Sequence, residues 1–197
     1  MTSTNPTRRG AATRERLLRA ALDLFASHGF HGTTTALLAS RTGLAEGTIY
    51  RHFTGKDALY NAVMRRVWER GEELMTEGPE GRLPAVDRLR SVAGRLMLEA
   101  RGAPAIVRLL LGPAEMPALD PSGRQAADRF RHAVAGVVAL GKQEGAIRPG
   151  TADLWASIWL VVVGLAAERV AQGVWTPEHP NVGLTIEAAL AAIGKAG

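Results

Sequence analysis

The stretch between Thr34 and Phe53 contains two short helical patterns that are separated by a glycine. The first pattern follows a threonine that can cap a helix, and it ends at Gly43, which can adopt the left-handed conformation that closes a helix. The second pattern runs from Ala45 to Phe53 and places Ile49 on the same face as Phe53. Helices this short are not stable in isolation, so both must pack against a longer helix. This requirement predicts a small bundle that contains a helix-turn-helix.

Longer helical patterns on both sides of this stretch predict the rest of the fold. From Thr13 to Ser27 the apolar residues recur at helical spacing, and the pattern ends at His28-Gly29. Further helices are predicted over these ranges: Lys56–Met75, Ala85–Arg101, Ala105–Leu111, Ser122–Glu144, Thr151–Gln172 and Asn181–Ile193. Valines 161–163 could form a strand, but they lie inside a long segment whose only breaker is Gly164, so length favours a helix. The sequence predicts an all-α fold of about nine helices.

The positive charge of the chain is concentrated in its first third. Residues 1–70 contain 11 Lys and Arg against 5 Asp and Glu, a net charge of +6, whereas residues 71–197 contain 13 against 14, a net charge of −1. This asymmetry indicates a basic module that meets a polyanion, joined to a near-neutral body with another task. The arginines of the first sixteen residues are either a solvated segment or lie near DNA phosphates or the minor groove.

The outward face of the second short helix is suited to close approach by DNA. If Ile49 and Phe53 face the bundle, residues 46–48, 50 and 51 point away from it. Gly47 costs roughly 0.5 to 1 kcal/mol relative to alanine inside a helix, and close approach of another surface is a reason to keep it. Tyr50 stands beside Arg51 without a packing partner, so contact with a phosphate would account for it.

Several short motifs occur in register within residues 29–59: Gly29-Phe30, Thr33-Thr34, Ala39-x-x-x-Gly43, Gly47-Thr48-Ile49-Tyr50, His52-Phe53 and Lys56-Asp57-x-Leu59. Together they resemble the DNA-binding domain of TetR-family transcriptional regulators (the TetR/AcrR group). That domain would cover residues 11–71, with the helix-turn-helix at 34–53. The resemblance implies that residues 45–51 read bases and that others contact phosphates, which gives this set: Thr34, Thr35, Ala45, Glu46, Gly47, Thr48, Tyr50, Arg51, His52 and Lys56.

The start of the recognition helix departs from the family pattern. Ala45 stands where the family commonly has serine or another capping residue, so this end is capped less well or differently. Glu46 is acidic in a helix that is expected to meet DNA. It either accepts a hydrogen bond from a cytosine amino group or is simply solvated.

The resemblance further implies that residues 72–197 form a helical domain that binds a ligand and dimerises through its last two helices. Candidate pocket residues are Met97, Arg101, Ile106, Leu110, Met116, Phe130, Val134 and Trp159, although apolar residues on middle helices commonly form only a core. Candidate residues of the dimer interface are Trp155, Val162, Leu165, Leu184, Ala188 and Leu190, with burial inside one subunit as the alternative.

The residue patterns of other functional classes are missing from the sequence. The chain has no cysteine, its histidines lack metal-site spacing, and neither a phosphate-binding Gly-x-x-x-x-Gly-Lys nor a Gly-x-Ser-x-Gly motif occurs. We therefore expect no catalytic residue, metal or cofactor, and no membrane span or secretion, hence a cytoplasmic protein. The expected function is that of a homodimeric transcriptional repressor that a small-molecule effector releases from a palindromic, double-stranded DNA operator. The alternative is a helical small-molecule binding protein whose DNA-binding module is non-functional.

Overall fold

A computed structural model of the chain describes residues 6–77, 83–112 and 119–195. Within these ranges it contains nine α-helices and no strand: α1 (Pro6–Gly32), α2 (Thr35–Thr42), α3 (Glu46–His52), α4 (Lys56–Thr76), α5 (Ala85–Gly102), α6 (Pro104–Leu111), α7 (Pro121–Gln143), α8 (Ala152–Ala171) and α9 (Pro180–Ile193). The predicted all-α fold is confirmed. Every helix from α4 onward lies within one residue of its predicted bounds, whereas α1 begins earlier and ends later than predicted.

The chain divides into two compact units. Among the described residues, the first unit comprises 6–66 and 119–124, and the second comprises 67–77, 83–112 and 125–195. In the first unit, α1 packs against α2, and α2 packs against α3. Its apolar core includes Leu17, Leu18, Ala21, Leu24, Phe25, Leu38, Ile49, Phe53, Leu59 and Tyr60. The two short helices therefore gain their stability from α1, as their length requires.

The C-terminal end of α1 is fixed by a glycine and by a lysine from α4. Gly29 adopts φ 69° and ψ 177°, which interrupts the regular helix at the end predicted for it. The Lys56 ammonium donates to the Phe30 carbonyl oxygen at 2.9 Å and lies 4.2 Å from the centre of the Phe30 ring. That ring contacts the rings of Phe25 and Tyr60, with centroids 6.3 and 4.9 Å away. Lys56 thus joins the end of α1 to the start of α4.

A segment from much later in the chain, residues 119–124, packs against the first half of α4. Asn61 is only 4% exposed, and its amide oxygen accepts a hydrogen bond from the Asp120 backbone N–H at 2.8 Å. The Asp120 carboxylate in turn accepts from the Gly123 N–H at 2.6 Å, at the start of α7, and lies 3.3 Å from Arg65. The Gly123 N–H, the Ser122 hydroxyl and the Arg65 guanidinium hold the pKa of Asp120 below its usual range.

The core of the second unit is built around α8, which packs against α9, α6 and α5. Trp159 is completely buried on this helix. Packing is also close at Gly71 of α4, where an added Cβ would lie 2.6 Å from the Leu110 side chain and 2.9 Å from the Phe130 ring. By length and composition alone α8 could cross a membrane, but 33% of its apolar window is buried inside the chain, and a core helix passes the same test.

Candidate DNA interface

The first helix of the helix-turn-helix has the two caps that its sequence predicts. The Thr34 hydroxyl accepts a hydrogen bond from the Leu37 N–H at 3.1 Å, which satisfies one of the free donors at the start of α2. Gly43 ends the helix at φ 63° and ψ 25°, and backbone N–H groups of this turn return to carbonyls of the last turn. The turn is therefore tight and fixes the direction in which α3 leaves it.

Helix α3, the predicted recognition helix, begins without a side-chain cap but with a hydrogen bond to the preceding helix. Ala45 has an extended backbone and provides no capping hydrogen bond. Glu46 lies in the first turn, where a negative charge favours the helix dipole, and its carboxylate accepts from the Thr35 hydroxyl at 3.3 Å. Glu46 therefore has an intramolecular partner, which neither sequence-based alternative for this residue included.

The two faces of α3 differ in burial as the spacing predicts. Ile49 is 1% exposed and Phe53, the residue after the helix, is 6% exposed, so both belong to the core. On the other face Tyr50 is 54% exposed. The remaining predicted contact residues of this helix are exposed or half-exposed: Ala45, Glu46, Gly47, Thr48, Arg51 and His52. The side chains presented to solvent are small or polar, apart from the exposed phenol ring of Tyr50.

On that face a hydrogen bond joins Arg51 to Thr48, and the space above Gly47 is empty. The Arg51 guanidinium donates to the Thr48 hydroxyl at 3.0 Å, which orients the arginine along the exposed surface. An added Cβ at Gly47 would meet no atom within 4 Å, so no contact inside the protein explains the missing side chain. The absence of an internal reason is consistent with close approach of an external surface.

Two arginines of α1 lie beside the helix-turn-helix. The Arg14 guanidinium lies 5.1 Å from the centre of the Phe53 ring. A nitrogen of Arg16 lies 3.5 Å from the place where a Cβ on Gly43 would stand. Both side chains are exposed. The sequence left two alternatives for these arginines, a solvated segment or a position near DNA phosphates or the minor groove. Only their spacing along α1 could have indicated that they lie beside the helix-turn-helix.

The candidate pocket residues of the body are mostly part of its packed core. Met97, Leu110, Phe130, Val134 and Trp159 are at most 6% exposed, and Ile106 is half-buried. Arg101 is exposed and lies 3.7 Å from Glu178. Met116 lies outside the described residues. Among the described residues, the indole N–H of Trp159 is the buried side-chain donor without a hydrogen-bond partner.

The candidate dimer residues divide into exposed and buried positions. Leu165 is 57% exposed and Leu184 is 68% exposed, and Ala188 is also exposed. Trp155 and Val162 are half-buried. Leu190 is only 6% exposed because it packs inside the chain's own fold.

Residues 17–63 match the family described as bacterial regulatory proteins, tetR family. These residues form a domain of the tetR family. The match covers α2, α3, most of α1 and the first part of α4, which are the elements that carry the candidate interface. Within the described residues, no group of three or more His, Asp or Glu side chains gathers as a metal site would require.

Relatives by sequence support this assignment over different lengths. The transcriptional regulator UidR of Escherichia coli is 34% identical over 95 residues, which are 48% of this chain and 48% of UidR. The nucleoid occlusion factor SlmA of Marinobacter nauticus is 29% identical over 154 residues, 76% of this chain and 74% of SlmA. The chain therefore spans about half the length of the UidR protein that it matches.

Solved structures share the fold of the whole chain. A TetR-family regulator from Marinobacter aquaeolei superimposes with a TM-score of 0.77 at 20% identity, over 96% of this chain and 100% of that one. A TetR-family protein from Vibrio parahaemolyticus gives a TM-score of 0.70 at 24% identity, over 93% and 99%. At these identities the likeness concerns the fold.

Proposed function

We propose that the whole protein is a TetR-family, sequence-specific DNA-binding regulator of transcription. The observation that carries the proposal is the solvent-facing side of α3, where Gly47, Tyr50 and Arg51 are exposed while Ile49 is buried. A recognition helix of a helix-turn-helix needs this combination, because its inner face must hold it to the domain while its outer face enters the major groove. The relatives' names, regulators of transcription and a nucleoid occlusion factor, support a DNA-bound role without catalysis.

The DNA contacts of this proposal use the residues of α3 and of the segments next to it. Gly47, Thr48 and Arg51 approach base edges, with Glu46 held by Thr35 at the helix start. Tyr50, His52, Lys56 and Thr34 contact phosphates. Two copies related by a two-fold axis then bind half-sites about 34 to 36 Å apart, one helical turn, on a near-palindromic operator.

The test is a gel-shift titration with genomic fragments at several salt concentrations. We expect selective retention of a few fragments, with an affinity that falls steeply as salt rises because phosphate contacts release counterions. Selected fragments should share a near-palindromic sequence. Absence of selective binding at every salt concentration would favour the alternative, a helical small-molecule binding protein whose DNA-binding module is non-functional.

We infer that the second copy is held through α8 and α9. Leu154, Val161 and Leu165 of α8 are 50%, 75% and 57% exposed, and their spacing places them along one face of the helix. Leu184 of α9 is 68% exposed. These exposed apolar side chains stand on two helices that pack together, and a four-helix bundle with a second copy would cover them. Leu190 is outside this proposal because it is already buried.

The dimer is tested by replacing Leu184 with glutamate and measuring mass in solution by light scattering. We expect Leu184→Glu to convert the dimer to monomer, since two carboxylates would be buried at a two-fold interface. Leu83→Glu provides the matched control, because Leu83 is also exposed, at 43%, but lies outside α8 and α9. A Leu184→Glu protein that stays dimeric would remove this face from the interface.

We propose that a small molecule bound in the body releases the DNA. FadR of Bacillus subtilis, which shares the fold at a TM-score of 0.69, has been crystallised with stearoyl-CoA, and this supports a ligand-responsive body. Release requires that the ligand bind more tightly to a conformer unable to span the operator, commonly by about 1 to 3 kcal/mol. The prediction is that an effector found by thermal shift also weakens the gel-shifted complex.

A further inference from the structure

An open groove lies in the second unit between α5 and α9. Its volume is about 460 Å³, within the range of small-molecule sites. Met97 and Leu98 of α5 and Ile186 of α9 line it, together with the segment that precedes α9. Leu98 is 58% exposed, so the groove displays an apolar wall to solvent. Of the predicted pocket residues that the structure describes, only Met97 lines it.

Two ion pairs join α5 to α9 and to the segment before it, and their arginines flank the α5 residues that line the groove. At one end Arg90 donates to both carboxylate oxygens of Glu187, at 2.8 and 3.2 Å. At the other end Arg101 lies 3.7 Å from Glu178, and the two side chains are 65% and 69% exposed. From Arg90 to Arg101 the helix rises about 16 Å. The groove therefore has one tight end and one loose end, with an apolar floor between them.

One glycine of each helix lines the groove. Gly94 lies in the interior of α5 and Gly183 in α9, and both line the groove. An added Cβ at either position would meet no atom within 4 Å. Glycine inside a helix is less favourable than alanine, so the fold of the single chain gives no reason for these glycines. They keep the groove open for an occupant.

One carboxylate lines the groove, that of Glu178. Its partner Arg101 lies outside the lining residues. The neighbouring His179 ring is held in place, because it stacks on Trp175 with centroids 5.4 Å apart and its Nδ1 accepts from the Asn181 N–H at 3.2 Å. An exposed ion pair such as Arg101–Glu178 contributes little, so a cationic ligand can replace the arginine at small cost.

We propose that this groove binds an elongated apolar molecule that carries an ammonium group. The alkyl or ring portion lies on Met97 and Leu98 and passes between Gly94 and Gly183, and the ammonium group pairs with Glu178 at the loose end. This inference goes beyond the proposed function, because the groove binds the cation whether or not the DNA-binding domain responds to it.

The test uses decyltrimethylammonium below its micellar concentration, with decanol and decanoate as probes of equal chain length. Binding to the full-length protein is measured by isothermal titration calorimetry without DNA. We expect the ammonium compound to bind most tightly. Gly94→Leu should weaken its binding about ten-fold or more, because a leucine displaces at least two methylene groups of the ligand. Glu178→Gln should reduce the preference for ammonium over alcohol about three-fold.

Gly136→Leu is the matched control for Gly94→Leu. Gly136 also lies inside a helix, α7, and an added Cβ there meets no atom within 4 Å, but it does not line the groove. Both leucine variants should fold, with a Tm raised by about 2 to 4 °C, since leucine is the better helix former. Only the Gly94 variant should lose affinity.

Three results would overturn the proposal. The first is tighter binding of decanol or decanoate than of the ammonium compound. The second is unchanged affinity in Gly94→Leu. The third is dissociation of the dimer by Gly94→Leu but not by Gly136→Leu, which would identify a second copy of the chain as the occupant. A failure of the protein to bind DNA in the gel-shift titration would contradict the proposed function but not the groove proposal, because the calorimetric measurement contains no DNA.

Discussion

Lys56 is expected to contribute both to the stability of the DNA-binding domain and to its hold on DNA. Its ammonium donates to the Phe30 carbonyl oxygen at 2.9 Å and lies 4.2 Å from the centre of that ring, in a partly buried setting. A hydrogen bond to a charged group contributes roughly 1.5 to 3 kcal/mol, and a cation–π contact adds about 0.5 to 1 kcal/mol. Because the site is partly solvated, we take the lower part of the combined range, about 2 kcal/mol.

Replacing Lys56 with alanine should therefore lower the free energy of unfolding by about 2 kcal/mol, which a urea titration followed by circular dichroism would measure. The ammonium has three donors, and the Phe30 carbonyl takes one of them. The others remain for a phosphate. Binding to any duplex DNA should then lose about 0.9 from the slope of log K against log salt for each bound chain.

The two readouts separate the two roles of Lys56. An unchanged urea midpoint would show that the contact with Phe30 does not stabilise the end of α1. A lower midpoint combined with an unchanged salt slope would leave Lys56 as a structural residue and remove it from the phosphate contacts. Lys56→Arg is the control, because it keeps the charge and should restore most of the slope.

Two further predictions concern packing and pH. Gly71→Ala should destabilise the body by up to about 2 kcal/mol, since overpacking against the adjacent leucine and phenylalanine outweighs the gain in helix propensity. Gly136→Ala, with open space above it, should stabilise the protein by roughly 0.5 to 1 kcal/mol. If urea titrations gave a change in the free energy of unfolding of the same sign for both variants, this difference would be contradicted. The lowered pKa of Asp120 contributes stability that is present above about pH 4 and is lost as the pH falls through the folded-state pKa. Asp120→Asn, which can still cap a helix but lacks the charge, should unfold at a lower urea concentration than the parent protein at pH 7 and lose less stability than the parent protein between pH 5 and pH 3. Equal losses in both would count against the carboxylate.

The helices and their ends were predictable because their causes are local. A threonine before an apolar pattern and a glycine after it bound α2 in the sequence, and Thr34 and Gly43 take those roles in the structure. The burial of Ile49 and Phe53 followed from their spacing alone. The hydrogen bond from Thr35 to Glu46 was not predictable, because it depends on the angle at which α3 leaves the turn.

The sites of the body were less accessible to prediction for a physical reason. An apolar residue on an inward helix face looks the same in a sequence whether it fills a core or lines a ligand site, as Leu110 and Phe130 illustrate by packing closely around Gly71. The groove between α5 and α9 depends on the absence of side chains at Gly94 and Gly183. A glycine within a helical sequence pattern indicates a groove only when the position of the neighbouring helix is known.

The hydrogen bond between Asn61 and the Asp120 backbone has a consequence for protein engineering. Regulators with new combinations of operator and effector are designed by joining the DNA-binding domain of one relative to the body of another. In this protein a chimaera joined near residue 66 would exchange α1 to α3 but leave residues 119–124, which belong to the same compact unit, with the other parent. The buried Asn61 amide would then face a foreign loop. Transferring residues 119–124 together with the N-terminal part would keep that contact, so a working exchange must move two separate pieces of chain.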